Sequence, residues 1–238
     1  MTRSIYQQFC FEPAEFERPK EIRTLQIETP LHHLKSDDFR SLTSLVELIL
    51  VPSPQESTNA QSSAELIPPK LFQELKGLKK LRILGKHIKV LAADTFEGLA
   101  SLIHLDLGGN RISEIKPRAF CGLPKLSILS LSHNDLTEVN RSFFELLPKL
   151  TRLDLSGNKI KLIADQSFQV NLHLMSLNLS YNKIAELKPD VFAGLGKLNA
   201  LTLTGNPLTR VQESSFNELD KRAVIFADRP FGSRHVLA

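Results

Sequence analysis

LIHLDLGGN (102–110), LSILSLSHN (126–134), LTRLDLSGN (150–158), LMSLNLSYN (174–182) and LNALTLTGN (198–206) are five copies of one frame, each starting 24 residues after the last. The frame is Leu-x-x-Leu-x-Leu-x-x-Asn, and its ninth position holds Asn110, Asn134, Asn158, Asn182 and Asn206. Phe72, Phe96, Phe120, Phe144, Phe168, Phe192 and Phe216 keep the same step. A fixed period of this length is the mark of a repeat architecture. Degenerate copies extend it upstream. LKKLRILGK (78–86) has Lys86 in place of Asn, LVELILVPS (45–53) has Ser53 there, and IRTLQI (22–27) keeps the three apolar positions. Phe39 lies 33 residues before Phe72, so that repeat carries nine extra residues, within 51–62. Downstream, KRAVIFADRP (221–230) follows the frame with Arg222 and Ala227 at two Leu positions. The organisation read from this is an N-terminal cap (1–21), eight repeats (22–221) and a C-terminal cap (222–238).

The x-Leu-x-Leu-x core alternates with period two, which is strand patterning. One unit is too small to bury its own Leu side chains, so units must stack and share a core. Stacked copies pair as parallel strands about 4.8 Å apart. The Asn amide can both donate to and accept from backbone groups left unpaired where the chain turns after the strand. The Phe column fills the space behind the sheet. A repeat this short leaves room on the return path only for loops and single helical turns. Open ends of a solenoid need lids. Phe9, Phe11 and Phe16, with Ile5 and Tyr6, serve at one end. Val224, Ile225, Phe226 and Phe231 serve at the other, with Arg222, Asp228, Arg229 and Arg234 facing water.

Composition agrees. Leu occurs 41 times among 238 residues, Phe 14 times, Tyr twice and Trp never, as expected when one small pattern is copied many times. At 42% hydrophobic the chain can bury a sizeable core. Two cysteines, Cys10 and Cys121, make no disulfide framework. The first twenty residues show no secretory signal pattern, and no run approaches the length of a membrane span. A soluble monomer is expected, cytosolic or delivered into a host cytosol without a signal peptide.

The units resemble the leucine-rich repeat family in its typical 24-residue class, over about 200 of the 238 residues. The resemblance implies an α/β solenoid, a leucine-rich-repeat horseshoe with a parallel β-sheet on its concave face and loops or short helical turns on its convex face. It also implies macromolecule binding, usually of proteins, through the concave face. Extracellular members have Cys-rich caps, which this sequence lacks. In size and economy it resembles the cap-less repeat effectors that pathogenic bacteria deliver into host cells. A receptor or matrix-type fragment is the alternative class.

The side chains between the Leu residues form three concave columns. Thr24, Glu47, Lys80, His104, Ile128, Arg152, Ser176 and Ala200 make the first; Gln26, Ile49, Arg82, Asp106, Ser130, Asp154, Asn178 and Thr202 the second. Glu28, Val51, Leu84, Gly108, Ser132, Ser156, Ser180 and Thr204 make the third. Aliphatic residues exposed near charges, as expected of Ile49, Val51, Leu84 and Ile128, suit a protein interface. Residues 70–89 carry a net charge of +6 against +4 for the whole chain. Cross-strand pairing of Glu47 with Lys80 and Asp106 with Arg82 answers part of it. His133 and Tyr181 replace Gly at the position before Asn, and Tyr is a frequent interface anchor. The expected partner-binding set is therefore Glu47, Ile49, Val51, Lys80, Arg82, Leu84, His104, Asp106, Ile128, His133, Arg152, Asp154 and Tyr181, facing a protein partner such as a host protein with an acidic surface.

Other chemistries find less footing. The basic residues lack interleaved aromatics for base stacking, which disfavours nucleic acid. His104, Asp106 and Ser130 are a superficial Ser/His/Asp set. However, His104 and Asp106 alternate along one strand about 7 Å apart, too far for an orienting hydrogen bond, and no nucleophile elbow accompanies them. His32 and His33 are adjacent and make no spaced metal set. No phosphate-binding Gly loop is present. No catalytic site, cofactor or metal is expected; an enzyme with an unrecognised site is the remaining alternative.

Overall fold

A computed structural model describes residues 2–5, 18–52, 65–228 and 236–237. Most of the extra segment in 51–62 lies outside these residues, as do Tyr6, Phe9, Phe11, Phe16, Arg229, Phe231 and Arg234 of the expected caps. The chain divides into two compact units, Met1–Leu126 (unit 1) and Ser127–Ala238 (unit 2).

In unit 1 parallel strands β1 (Thr2–Ile5), β2 (Thr24–Ile27), β3 (Glu47–Leu50), β4 (Lys80–Ile83) and β6 (His104–Asp106) stand side by side. Register follows the repeat: Leu25, Leu48, Leu81 and Leu105 are partners. Behind them, β5 (Val90–Leu91) pairs with β7 (Glu114–Ile115). In unit 2 the main strands are β8 (Ile128–Ser130), β10 (Arg152–Asp154), β12 (Ser176–Asn178), β14 (Ala200–Thr202), β16 (Val224–Phe226) and β17 (Val236–Leu237). Its return path carries the pairs β9 (Glu138–Val139) with β11 (Leu162–Ile163), and β13 (Glu186–Leu187) with β15 (Arg210–Val211). These short pairs lie among the loops and single helical turns expected there. Their second residues, Leu91, Ile115, Val139, Ile163 and Leu187, are buried. The same alternation that makes the main strands thus recurs after the turn. Helix is confined to single turns such as α1 (Arg141–Phe144).

The Leu rows are buried throughout. Behind them the phenylalanines stack nearly face to face. Phe72–Phe96 and Phe96–Phe120 lie 6.3 and 5.8 Å apart in unit 1. In unit 2, Phe144–Phe168 and Phe192–Phe216 lie 6.3 and 6.0 Å apart. The Asn column works as a ladder. Asn182 Nδ2 donates to the carbonyls of Leu155 and Leu179, at 2.9 and 3.0 Å, while its Oδ1 accepts from Ile160 N–H at 3.0 Å. Asn158 and Asn206 repeat this pattern. In unit 1 Asn110 donates to Ile83 and Leu107 and accepts from Lys86 N–H.

Lys86 departs from expectation. It is 1% exposed, and its Nζ donates to the Thr29 carbonyl at 2.6 Å. Occupying the Asn position, its long side chain runs along the ladder to a backbone acceptor two strands away. It therefore does not belong to the solvent-facing basic cluster of residues 70–89. Lys70, Lys76, Lys79, Lys80 and Lys89 are exposed.

The turn position before Asn is left-handed throughout. φ is +67° at Gly109, +54° at His133, +66° at Gly157, +55° at Tyr181 and +72° at Gly205. In unit 2 large and small residues alternate there for a steric reason. A Cβ on Gly157 would stand 2.6 Å from the His133 ring, and one on Gly205 would stand 2.6 Å from the Tyr181 ring. Each large ring lies across the glycine of the following repeat. Gly157→Ala should cost about 1–2 kcal/mol from the backbone alone, plus the collision. In a His133→Ala background only the backbone cost should remain. Urea melts of the single and double variants measure the difference.

Candidate functional site

Unit 1 presents one charged cluster on its open strand face. Strand register places Glu47, Lys80 and His104 in one row, and Ile49, Arg82 and Asp106 in the next. Arg82 Nε meets Asp106 Oδ2 at 3.4 Å. Asp106 Oδ1 accepts the Gly108 N–H at 3.0 Å. Asp106 therefore holds a turn as well as a cation, and the face is not simply a free acid beside a base. Lys80 is exposed, while Glu47, Ile49, Val51, Arg82, Leu84, His104 and Asp106 are half-buried.

Burial, the largest cause, holds the His104 imidazole below its ordinary value; Asp106 and Glu47 oppose this, and Lys80 and Arg82 reinforce it. The folded chain thus binds fewer protons here than the unfolded chain. The corresponding stability is complete above the unfolded imidazole value of about 6.5. It is lost as pH falls through that value toward the lower folded one. A proton NMR titration should place the His104 midpoint below about 6.5, and Asp106→Asn should move it further down.

In unit 2 the strand face carries Ile128, Arg152 and Asp154, with His133 and Tyr181 at the turn edge. Arg152 is exposed, Ile128 and Asp154 half-buried. Asp154 Oδ1 caps Ser156 N–H at 2.9 Å, as Asn178 Oδ1 caps Ser180 N–H at 3.1 Å. These caps explain why Asp or Asn recurs at the end of the strand. Tyr181 is 70% exposed.

Two expectations need correction. Ile49, Val51, Leu84 and Ile128 are half-buried rather than exposed, because strands about 4.8 Å apart leave little room between neighbouring side chains. Ser156 and Ser180 of the third column are buried, each with its N–H held by the Asp154 or Asn178 side chain. Among the described residues the exposed large apolar side chains are Leu66, Ile103, Leu146, Leu162, Leu172, Met175 and Tyr181. The sequence columns contain none of them; Tyr181 alone was singled out, at the turn position before Asn182. The available signal was a comparison of equal positions, where Leu146 and Val170 stand at the place of Gly98, Gly122 and Gly194.

As for enzyme-like groups, Asp106 spends its oxygens on Arg82 and Gly108, and Ser130 Oγ lies 3.1 Å from Ser132 Oγ. On the return path of unit 1, Arg118 Nη2 contacts Asp94 Oδ1 at 2.7 Å and Cys121 Sγ at 3.5 Å. The Arg118 contact holds the Asp94 carboxyl below its usual value. Among the described residues no helix is long and apolar enough to cross a membrane.

The leucine rich repeat family matches residues 76–136, 124–172 and 148–208, together more than half of the chain. The chain belongs to the leucine-rich repeat family, and its fold is that family's solenoid of parallel strands, a scaffold for binding. No curated protein matches it. Solved structures match widely, 428 chains in all, so structural likeness alone does not single out a partner. One of them, the crystal structure of a TLR13-ssRNA13 complex, matches 91% of this chain at 26% identity with a TM-score of 0.79. The present chain spans 30% of the length of that one.

Proposed function

We propose that this chain binds a protein partner, with the charged strand face of unit 1 as the principal contact surface and no chemistry of its own. The observation that carries this is the Glu47–Lys80–His104 and Ile49–Arg82–Asp106 grid, set on strands in strict register. A preformed sheet loses little conformational freedom on binding. Its exposed Lys80 and partly paired Arg82 favour an acidic patch on the partner, and half-buried Ile49 and Leu84 supply apolar contact between the charges. In unit 2, Ile128, Arg152, Asp154, His133 and Tyr181 are the contacts proposed for the strand face and turn edge. The chain acts as a monomer in this reading.

The test is affinity purification with mass spectrometry, followed by charge reversal. The double variant Lys80→Glu, Arg82→Glu should weaken the purified complex at least about tenfold while leaving the chain folded by circular dichroism. Unchanged affinity would remove the basic residues from the site.

Two finer readings differ in where the partner is met. Delivery as a bacterial effector rests on the resemblance in repeat length and economy; a translocation assay from an infecting bacterium tests it. A receptor-type fragment is favoured by the likeness to the TLR13 complex. A longer gene encoding a leader or Cys-rich caps would support it. That complex contains single-stranded RNA, but the contact residues proposed in unit 1 include no Phe, Tyr or Trp for base stacking.

A further inference from the structure

In unit 2 the turns leading from each buried Phe into the next strand form an edge of their own. Each closes alike, with Leu147, Asn171, Leu195 and Leu219 N–H donating to the carbonyls of Phe144, Phe168, Phe192 and Phe216. The turns lie directly on one another. Asn171 Nδ2 donates to the Phe144 and Leu147 carbonyls at 3.2 and 3.0 Å. Gly194 sits so near the preceding turn that a Cβ there would be 3.0 Å from Gln169 Cα. Equal positions in successive turns are therefore neighbours.

One such position reads Lys149, His173, Lys197 and Lys221, all exposed. Among the described residues no carboxylate forms an ion pair with any of the three lysines. Beside the first two positions of this row lies an apolar patch. Leu146 is 38% exposed, Leu172 53% and Met175 47%, and Pro148 is exposed with them. The patch is local, because the next repeat has Gly194, Gly196 and Asn199 where these two have Leu146 or Val170, Pro148 or Leu172, and Thr151 or Met175. Lys197 and Lys221, like charges in adjacent turns, disfavour the stack, and exposed apolar area disfavours the free protein. A partner that is both acidic and apolar relieves both at once.

We propose that this edge of unit 2 binds an acidic amphipathic peptide segment of a protein. Its carboxylates lie along the Lys149–His173–Lys197 row and its apolar side chains on Leu146, Leu172 and Met175. Glu145, Glu218 and Asp220 stand exposed on the same edge. A uniformly anionic surface, such as a lipid bilayer or a phosphate chain, would be repelled by them, whereas a peptide can place its charges between. The described edge also offers no exposed Phe, Tyr or Trp on which bases could stack. This surface is separate from the strand face and does not depend on what binds there.

The test begins by panning the full chain against a phage-displayed library of random peptides of about 12 residues. Enriched peptides are then synthesised and their affinity measured by fluorescence anisotropy. The expected result is a pool rich in Asp or Glu next to Leu, Ile or Phe. Binding should weaken at least about tenfold in Lys149→Glu, Lys197→Glu, and also in Leu172→Ser, Met175→Ser, with both variants folded by circular dichroism. Affinity for the unaltered protein should fall as salt rises. A pool without that composition, or acidic peptides indifferent to either double variant and to salt, would overturn the proposal. Tighter, lysine-dependent binding of phosphatidylserine vesicles or of a single-stranded oligonucleotide would overturn it as well.

Discussion

Replacing Phe168 by Ala should lower the stability of the chain by about 4 kcal/mol. The side chain is fully buried and stacks on Phe144 at 6.3 Å with nearly parallel rings. Truncation forfeits its burial and leaves a cavity between two repeats that cannot collapse, because the turns on either side are fixed to one another by hydrogen bonds. Leu at the same position fills most of the space and should cost less than about 1.5 kcal/mol. Since each repeat contacts chiefly its neighbours, the loss should show locally. Amide hydrogen exchange should quicken most around residues 144–177. Urea denaturation with exchange mass spectrometry measures both effects.

The second large effect falls on the ladder. Asn182→Ala removes hydrogen bonds to Leu155 and Leu179 and strands the Ile160 N–H, with the site 3% exposed. A loss of about 3 kcal/mol is expected. Asn182→Asp separates donor from acceptor roles. It retains an oxygen for Ile160 N–H but turns a second oxygen toward two carbonyls. It should therefore be at least as destabilising as Ala near neutral pH, and less so as acid protonates the carboxyl. Urea midpoints of both variants across a pH series check this. If Asp were tolerated at neutral pH, the donor half of the ladder would be unimportant.

The periodic positions were legible because each performs one physical task at a fixed place. Leu rows, the Phe column and the Asn ladder all stand where the 24-residue step puts them, and strand register follows that step. Legibility failed where the task depends on a neighbour in another repeat. Lys86 reads as a surface charge until its amine is seen on the Thr29 carbonyl. Asp106 and Asp154 read as contact residues, yet both also cap turns. Gly157 and Gly205 look like ordinary turn glycines, although the rings of His133 and Tyr181 occupy the space a Cβ would need. Leu146 and Leu172 were passed over because they lie in turns outside the Leu frame, and Met175 because its place in the frame precedes the strand positions that make up the columns. The charge rows of β3, β4 and β6 did follow from spacing. Their side-chain burial did not, because it depends on how neighbouring strands shade each other.

The central claim is that the open strand face of unit 1 meets a protein. Site-specific photo-cross-linking tests it most directly, with benzoylphenylalanine placed in turn at Lys80 and Arg82 on that face, and at Lys116 and Lys89 on the return path. Irradiation in candidate host lysates, followed by mass spectrometry, should give the same protein adduct from Lys80 and Arg82 and none of it from Lys116 or Lys89. Adducts only from the return path, or adducts to nucleic acid from the strand face, would contradict the account.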